Sequence, residues 1–219
     1  TFSFQVNDGI ASSSVVTRAV TVTATDQTPI ASSSGGSAAF TAGDHTTSTP
    51  VAVDPGLTVS DLDNTTLASA RVSISGNFQS GEDVLAFSNT NSSLYGNISA
   101  SYNSGTGVLT LTSSGATATL AQWQAALRAI TYTDSAVTPN SATRTISFSV
   151  NDGSKDSATV TRTVTVTATD QTPIATTTGS AGAYVVGGAA TPVDGGLTVS
   201  DLDNTTLASA TVSISGNFH

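Results

Sequence analysis

Apolar and polar residues alternate in short runs along this chain, and the runs are rich in Val, Ile, Phe and Thr. A period of two with β-branched residues predicts strands. Phe2, Phe4 and Val6 share one face, and Ile146, Phe148 and Val150 repeat the pattern. Val20, Val22 and Ala24 alternate with threonines, as do Val164, Val166 and Ala168. Ala70, Val72 and Ile74 alternate with Arg71 and Ser73. Ile98, Ala100 and Tyr102 lead into a turn at Asn103–Gly107, and Leu109 and Leu111 follow on an inward face, which reads as a hairpin. Ile130 and Tyr132 give another strand. One stretch changes period: Leu120, Trp123, Leu127 and Ile130 recur at helical spacing. Leu120–Ala129 is therefore predicted as a short helix capped by Thr119, with Trp123 packed on the sheets. Short strands joined by polar turns predict an all-β fold, an antiparallel β-sandwich of two sheets with one short helix per repeat.

The pattern itself recurs. Thr1–Gly9 returns as Thr145–Gly153, and Arg18–Ile30 returns as Arg162–Ile174, both 144 positions later. Gly56–Ala70 returns unchanged as Gly196–Ala210, now 140 positions later. Four residues are therefore missing from the later copy, where the first carries the longer Gly43–Thr49 stretch. Residues 1–30 read as the C-terminal part of a preceding repeat, 31–174 as one complete repeat, and 175–219 as the N-terminal part of the next. Neither end falls at a repeat boundary, so the ends either continue in a longer protein or meet neighbouring chains.

Composition narrows the class. No cysteine is present, so no disulfide framework or thiolate metal site exists. No run of about 18 apolar residues suggests a membrane span. Charged residues are only 10%, with Ser, Thr, Ala, Gly and Val in their place, a balance common in secreted β-rich repeat proteins. Net charge is −9, and 14 of the 15 acids are Asp. Aspartate favours turns and binds cations at short reach. A negative chain with one lysine is a poor nucleic-acid binder, because phosphate contacts need clustered Lys and Arg.

Three acidic motifs recur. Asn7-Asp8-Gly9 returns as Asn151-Asp152-Gly153 at a strand end. Asp26-Gln-Thr-Pro29 returns as Asp170-Gln-Thr-Pro173 after the last strand of a repeat. Asp61-Leu-Asp63-Asn64 returns as Asp201-Leu-Asp203-Asn204 early in the next. Calcium takes six to eight oxygen ligands, and short carboxylates on turns supply them. An Asp-x-Asp spacing in extended chain points both carboxylates the same way. The expected calcium ligands are therefore Asp8, Asp26, Asp61, Asp63 and Asp152, Asp170, Asp201, Asp203, with Asn7, Asn64, Asn151 and Asn204 beside them. Glu82 is a weaker candidate, since a solvated strand start explains Glu82-Asp83 nearly as well. Against all of these stands the ordinary role of Asp in a turn, which is to cap its own backbone.

The strand ending Val150–Gly153, the close Thr163–Pro173 and the opening Leu197–Asp203 resemble cadherin-like tandem repeats of giant bacterial surface adhesins, including those exported by the RTX type I route. The middle segment, Ser75–Leu85, Leu120–Arg128 and Ile130–Tyr132, is similar to the same repeats and to proteoglycan-type cadherin-like repeats. The likeness spans essentially the whole chain. It implies a cadherin or Ig-like sandwich, calcium between repeats, and an extracellular location on the surface of a bacterial cell. Two departures stand out. Cadherin linkers carry more acids than Asp170–Pro173, and the glycine-rich RTX nonapeptide is absent.

Enzyme chemistry finds little footing. His45 lies in the stretch missing from the later copy and His219 is terminal, and neither has a nucleophile beside it, so no enzyme is expected. Asp54-Pro55 reads as a turn and Lys155 as part of a polar loop. The function expected is a structural extender that supports cell adhesion or biofilm formation, its partners being neighbouring repeats and an unknown distal adhesion ligand. Two alternatives remain open. One is a subunit of a self-assembling filament or surface layer, whose open strand edges pair with other copies. The other is a carbohydrate-binding module, which needs exposed aromatics and finds few in the 12 Phe, Trp and Tyr residues.

Overall fold

The computed structural model describes residues 1–217; His219 lies outside the described residues. The chain begins with a short hairpin, β1 (Phe2–Phe4) and β2 (Val16–Arg18). Then come β3 (Ile30–Ser32), β4 (Ser37–Thr41), β5 (Val51–Ala52), β6 (Thr58–Ser60), β7 (Ser69–Gly76) and β8 (Asp83–Ala86). Next are α1 (Ser92–Tyr95), β9 (Ile98–Asn103), β10 (Val108–Ser113) and α2 (Leu120–Arg128). The body closes with β11 (Thr131–Asp134), β12 (Arg144–Asn151) and β13 (Val160–Thr167). β14 (Ile174–Thr176) and β15 (Thr198–Ser200) follow.

Two sheets form the body, in order β4-β13-β12-β7-β10-β9 and β5-β11-β8. Alternation builds the larger one: β12 reads buried at Ile146, Phe148 and Val150, and its neighbours β7 and β10 bury Val72, Ile74, Leu109 and Leu111. Phe40 of this sheet meets Tyr132 of the smaller one edge-on, with ring centroids 5.4 Å apart. Every buried apolar residue of the core lies between Ala31 and Val166. The Asn103–Gly107 turn needs its glycine: Gly107 has φ +67°, and a Cβ there would stand 2.8 Å from the Phe78 ring.

α2 is the predicted helix. Thr119 and Gln122 form a capping box, and Trp123, Ala126 and Leu127 face inward. The Trp123 indole donates to the Leu67 carbonyl at 2.9 Å, so the ring is both packed and polar-satisfied. The structure departs from the sequence reading in three places. It adds a one-turn helix, α1, whose cap Asn91 accepts from the amides of Ser93 and Leu94; one turn has no apolar period to betray it. It pairs β4 with β13 in parallel inside an otherwise antiparallel sandwich, a crossover that local alternation does not encode. It leaves Val20, Val22 and Ala24 outside any strand, although their copies Val164 and Val166 lie in β13.

A buried ionic cluster joins the sheets. Arg144 donates through Nε to both Asp83 oxygens, at 3.0 and 2.9 Å, and through an Nη to Asp134 at 3.2 Å. All three side chains are fully buried. The Tyr132 hydroxyl donates to Asp83 at 2.5 Å, and the Gln79 amide at 2.7 Å. Burial, with the Asp83 charge beside it, holds the Asp134 carboxyl above the ordinary range. Burial likewise pushes Tyr102, which donates to the Asp83 carbonyl, up to about 12. Removing the arginine would strand two buried carboxylates, so the cluster fixes how the sheets meet.

Candidate functional site: the repeat junctions

Two short strand pairs set the junctions. β3 pairs with β6 so that Ile30 opposes Ser60, and β14 pairs with β15 so that Ile174 opposes Ser200. The acidic turn that follows β6 or β15 is thereby laid beside the segment that precedes β3 or β14. Within each turn the first Asp acts as a backbone cap: Asp61 Oδ1 accepts from the amides of Asp63 and Asn64, both at 3.1 Å. Asp201 accepts from Asp203 and Asn204 at 3.1 and 3.0 Å. The second Asp and the Asn then reach across the joint. The Gln27 amide donates to Asp63 at 3.1 and 3.0 Å, and Asn64 donates to Asp26 at 3.5 Å. In the next copy the Gln171 amide donates to Asp203 at 3.1 Å, and Asn204 to Asp170 at 3.4 Å.

The electrostatics follow from that crowding. Burial pushes the Asp61 carboxyl up, but the amides of Asp63 and Asn64 outweigh it and hold it below the ordinary carboxylate range. Asp201 is held low by its hydrogen bonds to Asp203, whereas the facing Asp201 carboxylate holds Asp203 high. Three carboxylate oxygens at the first joint, Asp26 Oδ2, Asp61 Oδ2 and Asp152 Oδ2, are shielded from solvent without a hydrogen-bond partner.

The remaining predicted ligands sort by position. Asn7 and Asp8 organise the β1–β2 hairpin: Asn7 accepts from Gly9, and Asp8 from Ile10 and Ala11. The two Ala11 and Ile10 amides hold Asp8 below the ordinary range. Among the described residues no hydrogen bond or ion pair ties Asp8 to Asp26, Asp61 or Asp63. Asn151 and Asp152 repeat this turn, accepting from Gly153, Ser154 and Lys155. It is this later hairpin that meets Asp26, through Lys155: the ammonium donates to the Asp26 carbonyl and stands 3.6 Å from Oδ2. Glu82 lies apart, in the turn entering β8, where its carbonyl accepts from Ser135.

At the second joint the body of the preceding repeat is also present. The Gly43–Ser48 loop folds onto the linker: Asp44 accepts from the amide and hydroxyl of Thr172, and His45 contacts the Thr172 carbonyl at 2.5 Å. The loop and the Thr133–Val137 segment line a cleft of about 430 Å³ that Leu202 of the following turn also borders. Sequence reasoning missed this loop's role, because nothing in Asp44-His45 marks a contact with residues 128 positions away. It also missed Asp54, which is fully buried and accepts from Ser33, Ser34, Gly56 and Arg162.

Whether calcium fits can be judged from these groups. The donors are hard oxygens, the chemistry calcium prefers. Yet among the described residues no three acidic, histidine or thiol groups stand close enough to hold a metal ion between them. At the first joint the cation against Asp26 is an ammonium, and the residues as arranged do not form a metal cage.

The fold and joints define an all-β protein with repeated, acid-lined junctions. No family model matches the chain. It is similar to Halomucin of Haloquadratum walsbyi, 39% identical over 102 residues, which is 46% of this chain and 1% of that protein. The matched stretch thus spans about a hundredth of its relative's length. No solved structure matches. Among the described residues no helix is long and apolar enough to cross a membrane.

Proposed function

We propose that the chain is a structural extender, sandwich repeats in series that space a distal adhesive region from a cell surface. The recurrence of one joint carries this reading. The linker amide to the second Asp, and the Asn amide to the linker Asp, form at both joints with distances that agree within about 0.1 Å. A catalytic or ligand site has no need to repeat along a chain; a hinge does. The partial match to Halomucin points the same way, toward a protein many times the length of this chain.

Calcium would act here on stiffness more than on folding. Asp170, Asp201, Asp203 and Asn204 are the nearest oxygen donors at the second joint, and they would have to close together to hold it, since as arranged they do not enclose an ion. Extracellular calcium modules bind at about 10⁻⁴–10⁻³ M. At about 1 mM calcium one such site adds only ~0.4–1.4 kcal/mol. Small-angle scattering of a two-repeat chain tests the idea. A larger maximum dimension in calcium than in chelator is expected, and equal dimensions discard calcium stiffening.

A second reading, assembly with other copies, rests on the open edges of the larger sheet, β4 and β9. Sedimentation separates the two. Concentration-dependent polymers favour assembly, and a monomer favours the extender.

A further inference from the structure

We infer that Lys155 is the resident cation of the first joint, a built-in tether that orders this junction without metal. The assignment rests on the extender reading only in taking the joint as the functional element. Lys155 is the one lysine of the chain, and the hairpin turn places it. Asp152 Oδ1 caps the amides of Ser154 and Lys155, Gly153 takes φ +112°, and the Asn151–Asp156 bridge closes the loop. From that turn the ammonium grips the preceding segment twice, at the Asp26 carbonyl and beside its carboxylate.

The grip completes a circuit. Asp26 Oδ1 takes the Asn64 amide from one side, and the lysine approaches Oδ2 from another. Asp61, Asp63 and Asp152 add three negative charges nearby, and one mobile ammonium offsets part of their repulsion. The absence of three acids close enough to hold a metal among the described residues agrees with an ammonium in that role. Lysine also carries its charge on a long flexible stem, so it bridges two repeats without demanding a fixed coordination geometry.

The preceding copy makes the inference specific. Its hairpin has the same turn, with the same Asn7–Ser12 bridge, but Ala11 stands where Lys155 stands in the complete repeat. Joints with lysine at this position carry their own cation; joints with alanine lack it.

The chain contains no cysteine, so spin labels at T23C and S101C report the distance across this joint alone. With chelator present, the parent chain is expected to show one narrow distance peak, and K155A to lose it. K155R, which keeps the charge, should retain the peak, and calcium should not restore it in K155A. The buried Trp123 emission, unchanged in K155A, reports that the sandwich is intact. A K155A chain whose peak in chelator stays as narrow as the parent's overturns the tether, as does a parent chain that is already broad. Loss of the peak in K155A without rescue by calcium upholds the tether and removes calcium from this joint.

Discussion

The complete repeat and the flanking copies carry nearly the same strands and give them different fates. Phe148 in β12 is fully buried, and its copy Phe4 in β1 is 56% exposed. β12 and β13 run eight residues each, while β1 and β2 run three. β7 carries Ala70, Val72 and Ile74 into the core, whereas Ala210, Val212 and Ile214 form no strand. The difference lies in neighbours. β12 is held between β7 and β13, and β13 between β12 and β4; the first hairpin has neither β7 nor β4 beside it. The joints behave in the opposite way. β3–β6 and β14–β15 form alike, because both partners come from one short segment. The sandwich is a property of a whole repeat and the joint of a few dozen residues, a division of labour that suits the extender proposed above.

That contrast can be broken by paired substitutions. Phe148→Ala should cost about 3–5 kcal/mol, the usual range for deleting a buried phenylalanine. Phe4→Ala should stay within about 0.5 kcal/mol, as for exposed sites. Urea unfolding followed by Trp123 emission measures both, and equal costs would mean that the first hairpin contributes to a core it does not touch here.

A smaller pair is Asp54 and Asp194. Asp54 accepts from two hydroxyls, two amides and Arg162 in a buried site. Asp194 makes the corresponding bonds to Thr178 and Gly196 in the open. Asp54→Asn should cost about 1.5–3 kcal/mol, the worth of hydrogen bonds to a charged group. Asp194→Asn should leave the transition where it is. Burial alone would raise the Asp54 carboxyl, but Ser33, Ser34 and Arg162 hold it below its ordinary value of 3.8. Its folded pKa is depressed, so its stabilisation is present above 3.8 and is lost as pH falls through the lower folded value. Asp134, raised by burial, has the opposite sign: its contribution is full below 3.8 and fades as pH rises through its folded value. Melting curves taken below pH 4 should therefore fall more steeply for the parent chain than for Asp54→Asn. Parallel curves would show that Asp54 is not the group being protonated.

Much of this was legible beforehand, for identifiable reasons. Strand alternation within the complete repeat, the α2 period and the Asn103–Gly107 turn are local signals, and each has its element. The pairing of the linker Asp with the Asp-x-Asp-Asn turn was legible because both motifs recur on either side of each repeat boundary. What sequence did not carry was long-range. The Arg144–Asp83–Asp134 cluster joins residues 61 and 10 positions apart, and nothing around Asp83 distinguishes a buried carboxylate from a solvated one. The expected grouping of Asp8 with Asp26 followed chain order. In the structure it is the hairpin one repeat later, bearing Asp152 and Lys155, that meets Asp26. A strand pair folds back along its own repeat, so the residue nearest in sequence is not the one nearest in space.

The smallest expected effect tests how far the two joints are alike. Leu62 and Leu202 sit at the same place in the acidic turn, yet Leu62 is 86% exposed and Leu202 is 57% exposed. Leu202 borders the cleft made by the Gly43–Ser48 loop and Thr133–Val137 of the repeat before it; Leu62 borders the linker, Gln27–Ala31, and Ala158, and the counterparts of that loop lie outside residues 1–219. Partial burial of one leucine is worth less than about 1 kcal/mol. That is too little to shift global unfolding, and enough to bias how a joint bends. Leu202→Ser should broaden a label-to-label distance across the second joint. Deleting four residues from the Gly43–Thr49 stretch, which reproduces the length of the later copy, should broaden the second joint as Leu202→Ser does, because the leucine then has no wall to lean on. If the deletion leaves the distance narrow, the linker bonds at Gln171 and Asp203 hold the joint alone, and the loop is a passenger.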